Sequence, residues 1–373
     1  MIRNLIARIY AFLFVLWGAQ DAPEGYHARP DIGARETIDG TPLETLWDDF
    51  RQRLTVFNRM HTLVESRLAA PTTRVFEKVA IPRRARMEQA SEFGQPKLIR
   101  TERVSRGYPL VHYDIGVGFT QEFLDEATTQ EVTALADLAE EAWNRRRRQT
   151  IYEAIFGNTN YTDKDGYAVK RLYNADGEVP PEYEDFVHTG SHSHYLWTAA
   201  ATLAAGDLNT MESHLLHHGY GDDALGGTGG TLWLHVPRAV MTTIRGFTNF
   251  IAAQSSAIAV VRDGEVIGGN QPTGPGVQGY HNRWTIVEDP SIPAGYLLGY
   301  VSGGEFNVNN PVRVRSHQNP SARGLRLNPG RNDYPLQDSF YDGYVGAGIA
   351  HRGAAVVMYI DSGSGGAYVA PTF

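Results

Sequence analysis

Histidine is the residue type in this sequence best suited to bind a metal ion or transfer a proton, and six of the 13 histidines fall in two short stretches. The stretches HTGSHSH and HLLHH contain His188, His192, His194, His214, His217 and His218, and Asp222 and Asp223 follow the second stretch. His214 and His218 are four residues apart, a spacing at which two side chains share one helix face, as zinc ligands can.

The residues around these histidines do not complete a metal motif. No glutamate lies between His214 and His218 as in H-E-x-x-H, and no aspartate closely follows His194, as hydrolase metal motifs require. We therefore expect these histidines to lie in polar loops and on a helix surface. The sequence predicts no metal ligand and no cofactor.

Other catalytic motifs are incomplete or absent. GGTGGT at Gly226–Thr231 lacks the Lys-Ser/Thr pair with which a phosphate loop reaches phosphate and magnesium. There is no G-x-S-x-G motif and no cysteine, which excludes thiolate chemistry and disulfides. No acidic residues are paired for acid–base work. We expect a flexible loop at Gly226–Thr231 and a protein without catalytic residues, which is not an enzyme.

Charge is distributed unevenly along the chain. The 373 residues carry a formal charge of −8, yet nine basic and four acidic residues between Pro71 and His112 give that segment a charge of about +5. This basic segment is expected to contact an acidic surface. The length of the chain predicts two or three packed lobes.

The N-terminal residues have two interpretations. Arg3 and Arg8 precede an apolar run from Ile9 to Trp17 followed by small residues, which is the outline of a secretory signal peptide. The run is too short to span a bilayer as a helix. The alternative, which we favour, is an apolar arm that docks on a neighbouring chain.

The first half of the sequence alternates between helical and strand patterns. From Pro42 to about Leu68 apolar residues recur every three or four positions, which predicts one amphipathic helix or two short ones. Between Pro71 and His112 alternating flanks surround a charged middle, the pattern of a long two-stranded hairpin. Because an isolated hairpin is marginally stable in water, this one should lie on another surface.

A long helix is predicted after the hairpin. A short helix around Gln121–Ala127 is followed by a capping box at Thr128 and Glu131, and no Gly or Pro occurs before Gly157. The resulting rod would be roughly 42–44 Å long. Its apolar stripe consists of Val132, Leu135, Ala139, Ala142, Trp143, Ile151, Ala154 and Ile155.

Four consecutive arginines, Arg145–Arg148, lie late in this helix. They could contact DNA phosphates, which requires only suitably placed positive charge. Pairing with Glu140 and Glu141 along the same helix is the simpler expectation.

The second half of the sequence is richer in loops and strands. Residues 161–191 read as loops, and helical signals follow at residues 196–205 and 207–220. Residues 229–247 read as a buried strand ended by Pro237 and then a helix. From Ile258 onward the chain is mostly strand and turn.

This order of elements resembles the Hong Kong 97-type capsid fold of tailed bacteriophages and the related encapsulin shells. The three stretches that carry the resemblance are IGVGFTQEFLDEATTQEVTALADLAEEAW with YEAIFGN, NRWTIVEDPSIPAGYLLGYVSGG, and YPLQDSFYDGYVGAGIAHRGAAVVMYI. They look like the strand, short helix and spine helix, the axial strands, and the last peripheral strands. The resemblance covers about residues 43–362, and we expect this chain to differ from the larger family members in having no long cleavable N-terminal scaffolding region.

The resemblance implies an α+β capsid fold with an N-terminal arm, an extended hairpin loop, a spine helix, and peripheral and axial domains. The implied parts are an arm with an amphipathic helix (1–70), the hairpin (71–112), a peripheral domain with the spine helix (113–191), an axial domain (192–304), peripheral return strands (305–362) and a C-terminal tail (363–373).

The resemblance also implies a function. The chain would be a phage major capsid protein that assembles as hexamers and pentamers into an icosahedral shell around double-stranded DNA. Its partners would be further copies of itself, portal and scaffolding proteins, a decoration protein, and packaged DNA bound without sequence specificity. It would be located in the virion, without membrane contact, after assembly in the cytoplasm of the bacterial host.

Two alternatives remain at this point. One is an encapsulin-type compartment built from the same fold. The other is an exported metal-dependent hydrolase that uses the histidine cluster.

Subunit contacts are predicted from charge. Three arginines in the outer part of the hairpin should meet the acidic start of a neighbour's helical region. The residues of this predicted contact are Arg83, Arg84, Arg86, Glu122, Asp125, Glu126 and Glu131.

Overall fold

The computed structural model describes residues 36–60, 62–81, 102–184, 186–222, 228–253, 260–262, 265–267, 276–333, 336–361 and 366–373. The helices are α1 (Leu43–Phe57), α2 (Leu63–Leu68), α3 (Gln121–Glu126), α4 (Thr129–Phe156), α5 (Ala205–Leu216) and α6 (Arg238–Ile244). Both signal-peptide and arm interpretations concern residues that lie outside the described ones. Among the described helices, none is long and apolar enough to cross a membrane.

Eighteen strands are described. They are β1 (Ala69–Thr72), β2 (Phe76–Ile81), β3 (Glu102–Gly107), β4 (Val111–Thr120), β5 (Tyr161–Thr162), β6 (Ala168–Val169), β7 (Tyr195–Trp197), β8 (Thr231–Val236), β9 (Phe250–Ala252), β10 (Val260–Arg262), β11 (Glu265–Ile267), β12 (Val277–His281), β13 (Trp284–Glu288), β14 (Tyr296–Ser302), β15 (Val312–Arg315), β16 (Leu325–Asp333), β17 (Leu336–Ile349) and β18 (Ala355–Tyr359).

The chain forms two compact units, and each recruits distant parts of the sequence. Of the described residues, the smaller unit contains 36–57, 114–141 and 326–342, and the larger unit contains the rest. Because helix α4 and strands β4 and β17 pass from one unit to the other, the units are not consecutive segments of sequence.

The first helical region consists of two helices, the second of the two patterns that the sequence allowed. In α1 the apolar residues spaced by three and four positions are the buried ones, namely Leu43, Leu46, Phe50 and Leu54. A new N-cap starts α2, where the Thr62 hydroxyl accepts a hydrogen bond from the backbone N–H of Glu65 at 3.2 Å. Such a cap stabilises a helix start because it satisfies an otherwise free backbone donor.

The long helix α4 begins as the capping box predicts. The backbone N–H of Thr128 donates to the Glu131 carboxylate at 2.8 Å. A second carboxylate, that of Asp39, accepts from the backbone N–H of Thr129 at 3.1 Å. Negative charge is favourable here because the helix dipole places partial positive charge at this end. The helix is 28 residues long and ends before Gly157, as expected.

The core of the larger unit is a seven-stranded sheet in the order β7-β18-β14-β8-β13-β12-β9. All residues of β14 are buried, and the β8 and β13 patterns are buried almost throughout. Continuous burial requires cover on both faces. One core cluster contains strand residues together with the apolar residues of α5 and α6, which are Leu208, Met211, Leu215, Val240, Met241 and Ile244.

Two local predictions have opposite outcomes in this sheet. The buried strand followed by Pro237 and a helix is confirmed by β8 and α6. The helix expected over residues 196–205 is wrong. Residues 195–197 form strand β7 instead, which pairs in parallel with β18. The alanines favour a helix, but pairing with a buried strand overrides that local preference.

A second, five-stranded sheet contains β1, β15, β17, β16 and β4. In the larger unit β1 pairs in parallel with β15, and β15 pairs antiparallel with the last residues of β17. In the smaller unit β16 and β4 are both neighbours of β17. The domain boundaries at 112, 191 and 304 stay predictions.

Candidate assembly surfaces and histidine cluster

The base of the hairpin is a regular two-stranded ladder. Strands β2 and β3 pair antiparallel over their full length, which confirms the strand flanks of the hairpin. Arg83, Arg84 and Arg86 lie outside the described residues, so their contact with an acidic surface stays a prediction.

Buried contacts hold this base in place. The Arg106 guanidinium, in β3, is almost completely buried and donates to the Glu178 carboxylate, with one hydrogen bond of 3.0 Å. The Phe76 ring, in β2, stacks on Tyr167 with ring centroids 4.4 Å apart. The two strands are therefore fixed to the rest of the larger unit.

A second buried guanidinium lies directly before the last strand. Arg352 donates to the carbonyl oxygen of Arg171 at 2.7 Å and to the Asp176 carboxylate at 3.1 Å, and it also pairs with Glu178 at 3.0 Å. Burial alone would raise the pKa of Asp176, but hydrogen bonds from Lys170 and Arg352 outweigh that effect and hold this pKa below its ordinary value. Arg352 is thus a structural anchor at the start of the last strand.

A hydrogen-bonded Asp-His-Tyr arrangement also occurs in the larger unit. His235 donates from Nδ1 to Asp289 at 3.1 Å, and the Tyr300 hydroxyl lies 3.1 Å from His235 Nε2. Tyr152 donates to the same carboxylate. Burial alone would raise the pKa of Asp289, but hydrogen bonds from His235 and Tyr152 outweigh it and lower this pKa to about 2. Because all four side chains are buried, the arrangement supports the core rather than a reaction.

The acidic receiving surface predicted from the sequence lies in the smaller unit. Glu122 and Glu126 are exposed on α3, and Glu131 is exposed in the first turn of α4. Asp125 is in α3, but its side chain is not among those described. Glu131 also accepts hydrogen bonds from the backbone and hydroxyl of Thr128, which lower its pKa. Glu122 and Glu126 are thus the residues most available to a partner.

Strand β4 is unusual because it is exposed on both faces. Of its 10 residues only Phe119 is buried, and the apolar Val111 and Ile115 are exposed. A strand of a soluble protein ordinarily buries one face in a core. The strand therefore leaves the apolar side chains of Val111 and Ile115 exposed, where a second chain could cover them.

Three arginines of the run contact residues other than Glu140 and Glu141. Arg146 donates to the Tyr113 hydroxyl at 2.6 Å, Arg147 pairs with Glu65, and Arg148 donates to Ser291 at 2.6 Å. The expected pairing with Glu140 is wrong. That carboxylate binds Arg53 of α1 at 2.8 Å, because the helix presents Glu140 to α1.

The two histidine stretches meet in the larger unit. His188, His192 and His194 precede β7 in a loop that turns between Thr189 and His192, and His194 is fully buried beside β18. His214 lies in the last turn of α5, which ends at Leu216, so His217 and His218 follow the helix rather than continue it. The tight turn after them uses Gly219, with a φ of +78° that a residue with a side chain rarely adopts.

Three of the imidazoles converge on a single point. Nε2 of His194 lies 2.8 Å from Nε2 of His218 and 3.1 Å from Nε2 of His192, and Nε2 of His192 lies 2.9 Å from Nε2 of His218. Nδ1 of His194 donates to the carbonyl oxygen of Ala355 at 2.6 Å, since a carbonyl can only accept. A neutral His194 therefore presents an unprotonated Nε2 to the other two rings.

The other three histidines surround this triangle. Their rings pack on the triangle and on Phe186, with His188 stacked on His218 at 4.2 Å between centroids. Two overlapping groups of ligand atoms lie within 4.8 Å of one another: one from His188, His192, His217 and His218, the other from His192, His194, His214 and His217.

Burial keeps these six rings neutral. It lowers the pKa of His192 to about 4 and that of His217 to about 3, with help from the positive charges that neighbouring histidines would carry. It lowers the pKa of the other four as well. An open cleft reaches the cluster and is lined by Phe186, His192, Asn209, Thr210, Ser213, His214 and His217.

These histidines do lie in loops and on a helix, as expected, but the sequence did not predict that their rings meet and are partly or fully buried. They meet because the turn at Gly219 folds His218 back toward the segment before β7. Two features of the sequence could have indicated the cluster. His192 and His194 are separated by one residue, and His214 and His218 are four residues apart. Asp222 contacts Tyr183 at 3.5 Å, and Asp223 is outside the described residues.

Comparisons with known proteins agree on one family. The model of the phage capsid protein family matches residues 103–357. A solved structure from Mycobacterium phage Patience is 32% identical over 95% of this chain and 97% of its own, with a TM-score of 0.67. No curated protein matches the chain.

Two further solved structures are similar at a lower level. The capsid of a native GTA particle is 13% identical over 81% of this chain and 92% of its own, with a TM-score of 0.48. The SrpI encapsulin complex from Synechococcus elongatus PCC 7942 is 14% identical over 82% and 90%, with a TM-score of 0.46. These two likenesses are too weak to support an argument about the present chain.

Proposed function

Because this chain belongs to the phage capsid protein family, we propose that its subunits join as hexamers and pentamers through the β4 surface and the hairpin to enclose double-stranded DNA. The chain is a major capsid protein with the Hong Kong 97-type α+β fold, a structural protein of the icosahedral capsid. Family membership favours this function over the exported hydrolase.

The observation that carries the proposal is the exposure of β4. A strand with a single buried residue among 10 leaves apolar surface in contact with water in a lone subunit. Covering that surface is favourable by about 25 cal/mol per Å² of apolar area. In a shell, the molecule that covers this surface of β4 is a second copy of the same chain.

The positive charge of the hairpin would determine how the two subunits are oriented in this contact. We propose that Arg83, Arg84 and Arg86 of one subunit meet Glu122 and Glu126 of the next. Asp125 and Glu131 contribute negative charge to the same surface. Each exposed pair is worth only about 0–1 kcal/mol, but a shell repeats the contact many times, and complementary charge selects orientation.

Charge reversal tests this contact. The variant with Arg83→Glu, Arg84→Glu and Arg86→Glu should remain folded by circular dichroism but should not sediment as shells. The control with lysine at the same three positions keeps the charge and should assemble. High salt should weaken wild-type assembly in the same direction, because exposed charges are screened.

A charge swap identifies the receiving surface. Adding Glu122→Arg and Glu126→Arg to the triple variant should restore part of the shell yield. Normal shells from the triple glutamate variant at low salt would show that the hairpin charge has another purpose.

The remaining partners follow from the family and stay proposals. We propose contacts with portal and scaffolding proteins and a decoration protein, assembly in the cytoplasm of the bacterial host, and non-specific contact with packaged DNA. The bonds of Arg146, Arg147 and Arg148 within the larger unit argue against this run as the main DNA contact. Electron micrographs of the purified protein should show uniform closed shells.

A further inference from the structure

We propose that the histidine cluster binds a divalent transition-metal ion of the zinc type, with Nε2 of His192, His194 and His218 as its main ligands. The ion would be structural, since it would fasten the segment before β7 to the end of α5. This site is independent of the shell function and departs from the sequence-based expectation that no metal is bound.

The nitrogen triangle is the main argument. Three Nε2 atoms lie 2.8–3.1 Å from one another. Each neutral imidazole carries one proton, and the proton of His194 is already on Nδ1, where it is donated to Ala355. Hydrogen bonds cannot satisfy all three Nε2–Nε2 contacts. Each Nε2 is either protonated or unprotonated, so at least two of the three are alike whichever tautomers His192 and His218 adopt. That pair places two lone pairs or two N–H groups against each other.

A cation removes this conflict. With both of the other rings protonated on Nδ1, three lone pairs point toward one centre, and a zinc ion bonds imidazole nitrogen at about 2.0–2.1 Å. An ion placed to one side of the plane of the three Nε2 atoms can reach all three of them at this bond length. The bond from His194 to the carbonyl oxygen of Ala355 is the support that metal-binding histidines commonly have, since it fixes the ring and its tautomer.

Further ligand atoms are present around the triangle. Nε2 of His217 and Nδ1 of His188 are buried and have no hydrogen-bond partner among the described residues. Nδ1 of His218, the ring nitrogen away from the triangle, is likewise buried and has no hydrogen-bond partner among the described residues. His217 is grouped with His192 and His218 in one set of four ligand atoms and with His192 and His194 in the other, which makes it a candidate for the fourth position.

The ligand type restricts the metal. Imidazole suits zinc, copper, iron and nickel, whereas magnesium and calcium prefer oxygen. The cleft beside His192 and His214 provides a path for the ion to enter.

The experiment uses assembled wild-type shells. Shells are treated with a chelator, dialysed against zinc or magnesium chloride, and analysed for metal by mass spectrometry. We expect about one tightly bound zinc ion per chain and no magnesium. Cobalt added in place of zinc should give the intense visible absorption of a site with few ligands, a signal that loosely bound surface ions lack.

Matched variants locate the ion. His192→Gln together with His218→Gln should lower zinc affinity by at least about tenfold. His317→Gln changes a histidine outside the cluster and should leave the zinc content unchanged. Electron microscopy of each sample reports shell formation separately, so that loss of the ion and loss of assembly are distinguished.

Two results would overturn the inference. Chelated wild-type shells that remain intact but take up no stoichiometric zinc would exclude the site. Equal zinc affinity in the double variant and the wild type would place the ion elsewhere. If the double variant does not fold, the zinc content and cobalt spectrum of the wild type decide the question.

Discussion

At the scale of single residues, several buried charged groups in the larger unit are matched with opposite charges and hydrogen-bond partners. Arg352 and Arg106 share the Glu178 carboxylate, and Asp289 is held by His235 and Tyr152. Removing one partner from such a group is costly because the other is left buried without compensation. These groups therefore fix which strands and loops can meet.

Acid should weaken the subunit through Asp289. Its folded pKa of about 2 lies below its unfolded value, so its stabilising contribution is complete above about pH 4 and is lost as the pH falls through about 2. Unassembled wild-type subunits should lose on the order of 2 kcal/mol through this group in urea unfolding.

The matched variant is Asp289→Asn, which cannot ionise. It should be less stable than the wild type at neutral pH, and its unfolding free energy should depend less steeply on pH between about 4 and 2. Identical slopes for the two proteins in that range would mean that other carboxylates carry the acid sensitivity.

At the scale of elements, helix α4 is specified at both ends and along one face. The capping box and Asp39 fix its start, and the apolar stripe supplies buried positions such as Val132, Ile151 and Ile155. Leu135 is only half-buried, so the stripe is slightly narrower than predicted. Trp143 contacts the backbone at Gly343 so closely that a Cβ there would lie 2.5 Å from its ring.

Truncation of this tryptophan should therefore be severe. Trp143→Ala removes a large side chain that is only 6% exposed, and we expect a cost of about 3–5 kcal/mol and insoluble subunits. The control is Leu138→Ala on the same helix, where the side chain is 58% exposed and the cost to subunit stability should be small. Shells from Trp143→Ala at normal yield would mean that this face of the helix is not essential to the core.

At the scale of the whole molecule, we predict that shell stability comes from contacts that are not covalent. The chain has no cysteine, and only Lys78 and Lys97 lie in the hairpin. Lys78 is in the ladder at the base, opposite Ser105, rather than at the outer end. The resemblance to shells whose subunits are covalently linked could suggest a lysine-to-asparagine cross-link between subunits. We therefore do not expect such a cross-link here.

Denaturing electrophoresis checks this expectation. Boiled shells should run as a single band near the chain mass of 41.3 kDa. The variant with Lys78→Arg and Lys97→Arg should give the same band. A ladder of multimers in the wild type that disappears in the variant would contradict the prediction.

The sequence by itself determined the elements whose signals are local. The 28-residue helix, its capping box, the strand before Pro237 and the hairpin flanks all depend on residues close together in the chain. Their order was enough to indicate the family, since a fold is constrained by the succession of its elements. Charge counts likewise identified a basic hairpin and an acidic α3.

Only the tertiary structure decided which distant segments meet. Residues 195–197 became a strand because β18 offered an edge to pair with, and His194 reaches the carbonyl oxygen of Ala355, 161 positions further along the chain. The histidine cluster forms because that pairing fixes His192 and His194 at the place where the turn after α5 returns His218. Periodicity reports neighbours along the chain, whereas these contacts depend on strand order and register, which no local pattern contains.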